Sequence, residues 1–240
     1  MRNKLLVPIV MTVCGVLLMA GLGIWQLQRL AWKEELIDTI ATANEQAPLS
    51  TLPNDITELQ DLRFRRVQLS GSYQHDKEVH VAARYYRGQL GYHIFTPLAL
   101  DDGRTVMVNR GWIPVHDKDD FAARATGEAA APVTIDAMIR TSNERNYFTP
   151  PNSPEENVWF GRDVDEIARY HELELIPVTV DLIGSPDVAD GYPIPGDGNI
   201  TLRNDHLGYA ITWFGIGLGV LVIGGLYIRQ HKRTESDEKA

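Results

Sequence analysis

Two runs of this sequence carry no charge: Leu5 to Ile24, 20 residues, and Leu207 to Ile228, 22 residues. At about 1.5 Å per helical residue, each spans about 30 Å, the thickness of a bilayer's hydrocarbon core. A backbone crossing lipid must satisfy its own hydrogen bonds, so two isolated runs can only be helices. Both contain Gly, and the first has Pro8 near its start; membrane helices tolerate these residues better than soluble ones do. A cleaved signal peptide would use Arg2 and Lys4 as its n-region. The first run is longer than an h-region of about 7–15 residues, however, and flows into Trp25-Gln26-Leu27-Gln28-Arg29. An uncleaved anchor is therefore expected.

The expected organisation is a cytoplasmic N-terminus (1–4), a first transmembrane helix (5–27), a β-rich periplasmic domain (28–205), a second transmembrane helix (206–228) and a cytoplasmic tail (229–240). The orientation comes from the flanking charges. Arg2 and Lys4 precede the first run, and Arg229, Lys232 and Arg233 follow the second. The positive-inside rule puts both ends in the cytoplasm, with Arg29 and Lys33 as the smaller opposing set. Only four residues precede the first run, too few for a mitochondrial transit peptide, so a bacterial inner membrane is the expected address. The segment Leu30–Asp205 holds 16 Lys+Arg and 29 Asp+Glu, a net of -13. The whole chain carries -9, which argues against nucleic acid as a partner, because binding it needs a cationic face. The single cysteine, Cys14, sits in the first run, leaving no intrachain disulfide, CxxC site or Cys-based zinc site.

Between the spans the pattern is mostly strand. Residues 30–47 first read as a helix that extends the first span and stops at Pro48 and Pro53. Phe64–Leu69 alternates and stops at Gly71; Glu78–Val81 alternates again. Tyr92–Leu100 and Arg104–Asn109 flank Asp101-Asp102-Gly103, which predicts a β-hairpin, since Asp-Gly supplies the positive φ of a tight turn. Val133–Thr141 and Leu175–Ile183 are further strands rich in β-branched residues. Asp163–His171 fits a short helix capped by Asp163, and the Gly- and Pro-rich 184–198 reads as a long loop. The fold class expected is a membrane protein with two transmembrane α-helices flanking a β-rich, barrel- or sandwich-like α+β extramembrane domain.

Motifs of enzymes are missing: the sequence has no GxSxG, GxxxxGK[ST], HExxH or GxGxxG after a strand, and no turnover is expected. His75 and His80 lack a known ligand spacing and read as surface residues. The informative residues lie where the two spans leave the membrane on the outer side. Trp25 and Trp32 share a helix face, with Arg29 between them and Lys33 a turn below Arg29. An interfacial anchor is the ordinary reading of such residues. On the second helix His206, Trp213, Gly217 and Gly224 share one face. Gly208, Gly215 and Gly219 lie opposite, a face suited to close packing against the first span or a partner. On spacing alone, His206 is either a polar residue at the headgroup level or a site for a flat amphipathic ligand. Such a ligand would set its metal on His206 and its acid groups near Arg29 or Lys33.

Several blocks carry a family resemblance. They are Gly23-Ile-Trp25-Gln26-Leu27-Gln-Arg29-Leu-Ala-Trp32-Lys33; Phe64-Arg-Arg-Val67 with Gly71 and Tyr73; Thr96-Pro97-Leu98; and Val108-Asn109-Arg110-Gly111-Trp112-Ile113-Pro114. Further on come Pro151-Asn152-Ser-Pro154 with Asn157-Val-Trp159-Phe160 and Asp163, then Asn204-Asp205-His206-Leu207-Gly-Tyr209-Ala210-Ile-Thr212-Trp213-Phe214. Together they resemble the surfeit locus protein family, assembly factors of cytochrome c oxidase, from about residue 20 to 228 and in the same order. Asp205 departs from the pattern, which has a second Asn there. The resemblance implies a role in maturation of oxidase subunit I by holding or handing over haem a, with haem a synthase as a possible partner. It also implies that His206 is a haem ligand. The cofactor-binding set read with it is His206 on the iron, Arg29 near a propionate, and Tyr209, Trp213 and Trp25 beside the ring. A membrane-level groove suits the farnesyl chain of haem a. The alternatives are a cofactor-free scaffold holding a nascent oxidase subunit and, third, a membrane-anchored hydrolase. Arg110 and Gly111 read as fold residues: an Asn-Arg-Gly run at a strand's end breaks pairing, and Arg110 can pair with an acid.

Overall fold

The computed structural model describes residues 5–120, 131–142, 147–184, 191, 193–200 and 202–237. Arg2 and Lys4, and residues 185–190 and 192 of the expected loop, lie outside that set. The chain divides into two compact units, Met1–Thr39 with Thr201–Ala240, and Ile40–Ile200.

The first unit is a pair of helices, α1 (Leu6–Glu45) and the last helix of the chain, His206–Asp237. Both are long and apolar enough to cross a membrane. As expected, α1 runs on without a break through residues 30–45. The two pack antiparallel through small residues. A Cβ on Gly23 would meet the Phe214 ring at 2.6 Å, one on Gly217 would meet Met19 at 3.2 Å, and one on Gly15 would meet Val220 at 3.3 Å. A Cβ on Gly224 would strike Thr12. Such close approach is the usual role of glycine between membrane-type helices. The packed face is therefore the one bearing His206, Gly217 and Gly224. The opposite face, Gly208, Gly215 and Gly219, was expected to pack, yet a Cβ at any of the three would meet nothing within 4 Å. The physical reason is bulk: on the first face Gly217 and Gly224 admit Met19 and Thr12, so the two missing side chains are filled by α1 and form no empty groove.

The second unit contains α2 (Ile56–Asp61), β1 (Arg66–Tyr73), β2 (Val79–Tyr86), β3 (Gln89–Leu100), β4 (Thr105–Pro114), β5 (Val133–Thr141), α3 (Val164–His171) and β6 (Val178–Leu182). The sheet order is β1-β5-β6-β4-β3-β2, and β1 also pairs with β3 through Gly71–Leu100, Ser72–Ala99 and Tyr73–Leu98. The ring β1-β5-β6-β4-β3 is thus closed, so the expected choice between barrel and sandwich resolves to a barrel, with β2 added along the rest of β3's edge. Closure also explains why β1 continues past Gly71 to Tyr73: those residues reach across to β3. Among the described strands only β4 and β6 pair in parallel.

Alternation along the strands separates two cores. Val67, Leu69, Leu98, Leu100, Val106, Val108, Ile135, Ala137, Ile139, Val178 and Val180 pack with Leu52 and with Leu59 of α2, a helix the sequence reading missed. On the other face, Val79, Val81, Phe95 and Met107 pack with Trp159 and Ile167 of α3. The expected hairpin is present: Gly103 has φ 87° and its N–H donates to Leu100 O at 3.0 Å. Asp163 caps α3, accepting from Glu166 N at 3.0 Å. The expected strand 175–183 shortens at its start because Pro177 has no N–H to give a ladder; pairing begins at Val178.

The Asn109-Arg110-Gly111 run does break pairing. Ile94 faces Gly111 and Phe95 faces Asn109, so Arg110 is the extra residue of a bulge. Its guanidinium lies 3.7 Å from Glu78, the acid expected somewhere. His80, read as a surface residue, is instead buried at 5% exposure and bonded through Nε2 to the Glu78 carboxylate at 2.8 Å. The fold buries this end of β2 on both sides, because Trp159 pairs with it: Trp159 N donates to His80 O and Ala82 N to Trp159 O. Next to this cluster, burial pushes the Tyr73 hydroxyl up to about 12 despite the nearby Arg110.

Candidate functional site

Within the helix pair, the imidazole of His206 meets Gln26: Nδ1 lies 2.7 Å from Gln26 Oε1. An amide oxygen can only accept, so Nδ1 donates to it, and in the neutral ring the lone pair is then on Nε2. That is the arrangement by which proteins prepare a histidine for a metal, the far nitrogen being fixed by a second partner. Gln26 is 8% exposed, on α1 one turn from Gly23, whose missing side chain lets the Phe214 ring approach. A buried amide beside lipid-length apolar helices is costly unless bonded, and His206 supplies that bond. The sequence gives Gln26 no role by itself; its place one helical turn beyond Gly23, as a polar residue at the end of the apolar run, is the signal it offers.

The other named residues surround this pair less closely. Trp25 and Tyr209 are 54% and 55% exposed, so their rings face outward. Arg29 stacks on Trp32, its guanidinium carbon 3.9 Å from the ring centroid. Trp213 is half-buried on the His206 face. The carboxylate of Asp205 pairs with Arg203, two residues away. The structure thus joins Gln26 with His206 and Arg29 with Trp32.

A second polar cluster lies in the barrel unit. Asn109 Nδ2 donates to Asp181 Oδ1 at 3.0 Å and reaches His93 Nδ1 at 3.4 Å, while its Oδ1 accepts from Gly111 N at 3.2 Å. Arg162 donates to Asp181 at 3.1 Å, and Arg140 stands 3.6 Å from the other oxygen. Burial, helped by Arg84, lowers the His93 pKa to about 4. His93 is therefore neutral at pH 7, and it accepts at Nδ1 from the Asn109 amide nitrogen, which can only donate. The sign of the linkage follows: the unfolded chain takes up a proton near pH 6.5, whereas the folded one waits until about pH 4. Stability fully present above pH 6.5 should fall as the pH drops toward 4, by on the order of 3 kcal/mol at most. Thermal unfolding across that range, compared between wild type and His93→Gln, checks this: the variant should show the shallower slope.

A pair of membrane-length apolar helices that bracket a closed, mixed β-barrel in sequence, with a histidine oriented by an amide between them, defines the class of protein. The chain belongs to the SURF1 family, whose model matches residues 13–218. Surfeit locus protein 1 of Mus musculus is 34% identical over 211 residues, covering 82% of this chain and 67% of that protein. The Takifugu rubripes protein of the same name is 34% identical over 212 residues, covering 82% and 86%. The Homo sapiens protein is also 34% identical over 212 residues, covering 82% and 69%.

Proposed function

We propose that this protein is an assembly factor for cytochrome c oxidase that holds haem a as cargo and helps pass it to subunit I. The observation that supports it is the bond between His206 Nδ1 and Gln26 Oε1, which leaves Nε2 free to take the iron. His206 would bind the metal, Arg29 would sit toward a propionate, and Trp25, Tyr209 and Trp213 would flank the macrocycle. The exposed Trp25 and Tyr209 rings suit a ligand received from lipid rather than from water. In this reading both termini are cytoplasmic and the barrel is periplasmic in a bacterial inner membrane. Arg229, Lys232 and Arg233 beyond the second span support that orientation.

The test is the absorption spectrum of the full chain purified from cells that make haem a. A Soret band is expected in the wild type and should vanish in His206→Ala. Gln26→Leu should lower haem affinity about 10- to 100-fold, the usual effect of removing a ligand's orienting partner. An undiminished band in His206→Ala would overturn the proposal. The open Gly208, Gly215 and Gly219 face favours a second reading, a scaffold that docks a helix of the nascent subunit without cofactor. A colourless protein that still captures subunit I would support it.

A further inference from the structure

The hairpin that joins β2 to β3 runs against the chemistry of its own unit. The segment 30–205 holds 29 Asp+Glu, yet the 22 residues from Val79 to Leu100 hold none, and Arg84 and Arg87 stand at the tip. The turn is Arg87-Gly88, with φ 48° and 82°, between the paired Tyr86 and Gln89. Two positive φ values in a two-residue turn favour Asn-Gly. An arginine there is held against its own backbone preference, which points to a side chain kept for what it meets.

The apolar groups of the tip face outward. Tyr85 stands opposite Leu90, so the two share a face, and they are 71% and 46% exposed. Tyr86 points the other way; its ring meets Trp112 at 5.4 Å, and Arg87 lies over it at 5.2 Å. Val115, one residue past the Pro114 that pairs with Gly91, is also exposed. Three large apolar side chains and a guanidinium thus gather at one end of the sheet. The hairpin at the other end of β3 is the acidic Asp101-Asp102-Gly103, and the Leu100 before it is buried. The cavity under the basic tip is walled by Arg87 and by Asp197. Asp197 stands nine residues before His206, where a membrane-length helix begins, and nine extended residues reach at most about 30 Å.

We propose that the β2–β3 hairpin is a membrane-docking element, with Tyr85, Leu90 and Val115 seated in the headgroup region of anionic phospholipid and Arg87 on a phosphate. A bilayer surface takes each of these groups: tyrosine and aliphatic side chains at the edge of the acyl chains, arginine at the phosphates. The lack of acids around the two arginines suits a negative surface, and the short stretch of chain before His206 favours lipid over a protein partner. The docking rests on the helix pair lying in a bilayer and not on the haem reading.

The test uses the full chain reconstituted in vesicles of phosphatidylethanolamine and phosphatidylglycerol. A fluorophore on Gln89→Cys, made with Cys14→Ser, should be quenched by lipids carrying a nitroxide on the headgroup. A fluorophore on Asp101→Cys in the same background should not be. A fluorophore on the native Cys14, quenched by lipids with the nitroxide on the acyl chain, reports that the helix pair is embedded. Arg87→Glu should lower the docked-to-free ratio of the tip about tenfold or more, because a cation is lost and an anion gained at a negative surface. Arg87→Asn, which suits the turn, should weaken docking while keeping or raising the unfolding temperature. Quenching at Cys14 with none at position 89 overturns the docking and leaves the tip to a protein partner. Equal quenching at positions 89 and 101, or undiminished quenching in Arg87→Glu, overturns it as well. An unquenched Cys14 overturns the membrane reading itself, and the docking with it.

Discussion

Trp159→Ala should destabilise the barrel unit by about 3–5 kcal/mol, the range for emptying a large aromatic site from a packed core. Trp159 is 0% exposed and sits in the core made with Val79, Val81, Phe95, Met107 and Ile167. It also stacks edge-on against Tyr170 at 5.7 Å. Few neighbours can move into the vacated volume, because the backbone on both sides is tied to β2 through Trp159 N to His80 O and Ala82 N to Trp159 O. Domains are stable by only about 5–15 kcal/mol, so this one truncation consumes much of the margin. Chemical denaturation of the full chain, followed by circular dichroism, measures it. Trp159→Phe serves as the contrast. The Trp159 Nε1–H is buried without a partner among the described residues, so phenylalanine removes an unmet donor while keeping most of the apolar contact. Its cost should stay below about 1.5 kcal/mol. Equal losses in the two variants would show that packing does not set the effect.

Gly111→Ala is expected to cost several kcal/mol, with the unit failing to fold at growth temperature as the extreme. Gly111 has φ 133°, a region that residues with a Cβ rarely occupy, at a cost of about 1–3 kcal/mol. Steric conflict adds to it: an alanine Cβ there would strike the Ile194 carbonyl and come within 2.7 Å of Pro195 N. The obstacle is backbone, held by the paired Trp112–Ile194 bonds, so no side chain can swing aside. The loss should appear in chemical denaturation of the full chain, followed by circular dichroism. An alanine variant as stable as wild type would contradict the positive-φ bulge.

Much of the architecture was legible in local patterns. The spans followed from uninterrupted apolar runs, and the 133–141 strand from β-branched residues at its observed ends. The α3 helix followed from its Asp163 cap, and the hairpin from Asp102-Gly103. These features depend on groups a few residues apart. The glycine faces of the second span show the limit. Gly215 and Gly219 stand four apart, the spacing of a GxxxG pattern, with Gly208 on the same face, yet Gly217 and Gly224 are the ones α1 occupies. One helix's sequence cannot say which side its partner takes. His80 was misread for a like reason: its burial comes from Trp159, nearly 80 residues on, lying against the outer edge of β2.

The sequence by itself determined where the chain leaves water, where it turns, and that His206 begins a membrane-length helix, since each is set by neighbours along the backbone. Only the tertiary structure decided that β1 closes on β3, that Gln26 orients the His206 ring, and that three arginines gather on Asp181. Those depend on residues distant in sequence meeting in space, and the energy that selects them is the burial and pairing gained only when all the elements pack together.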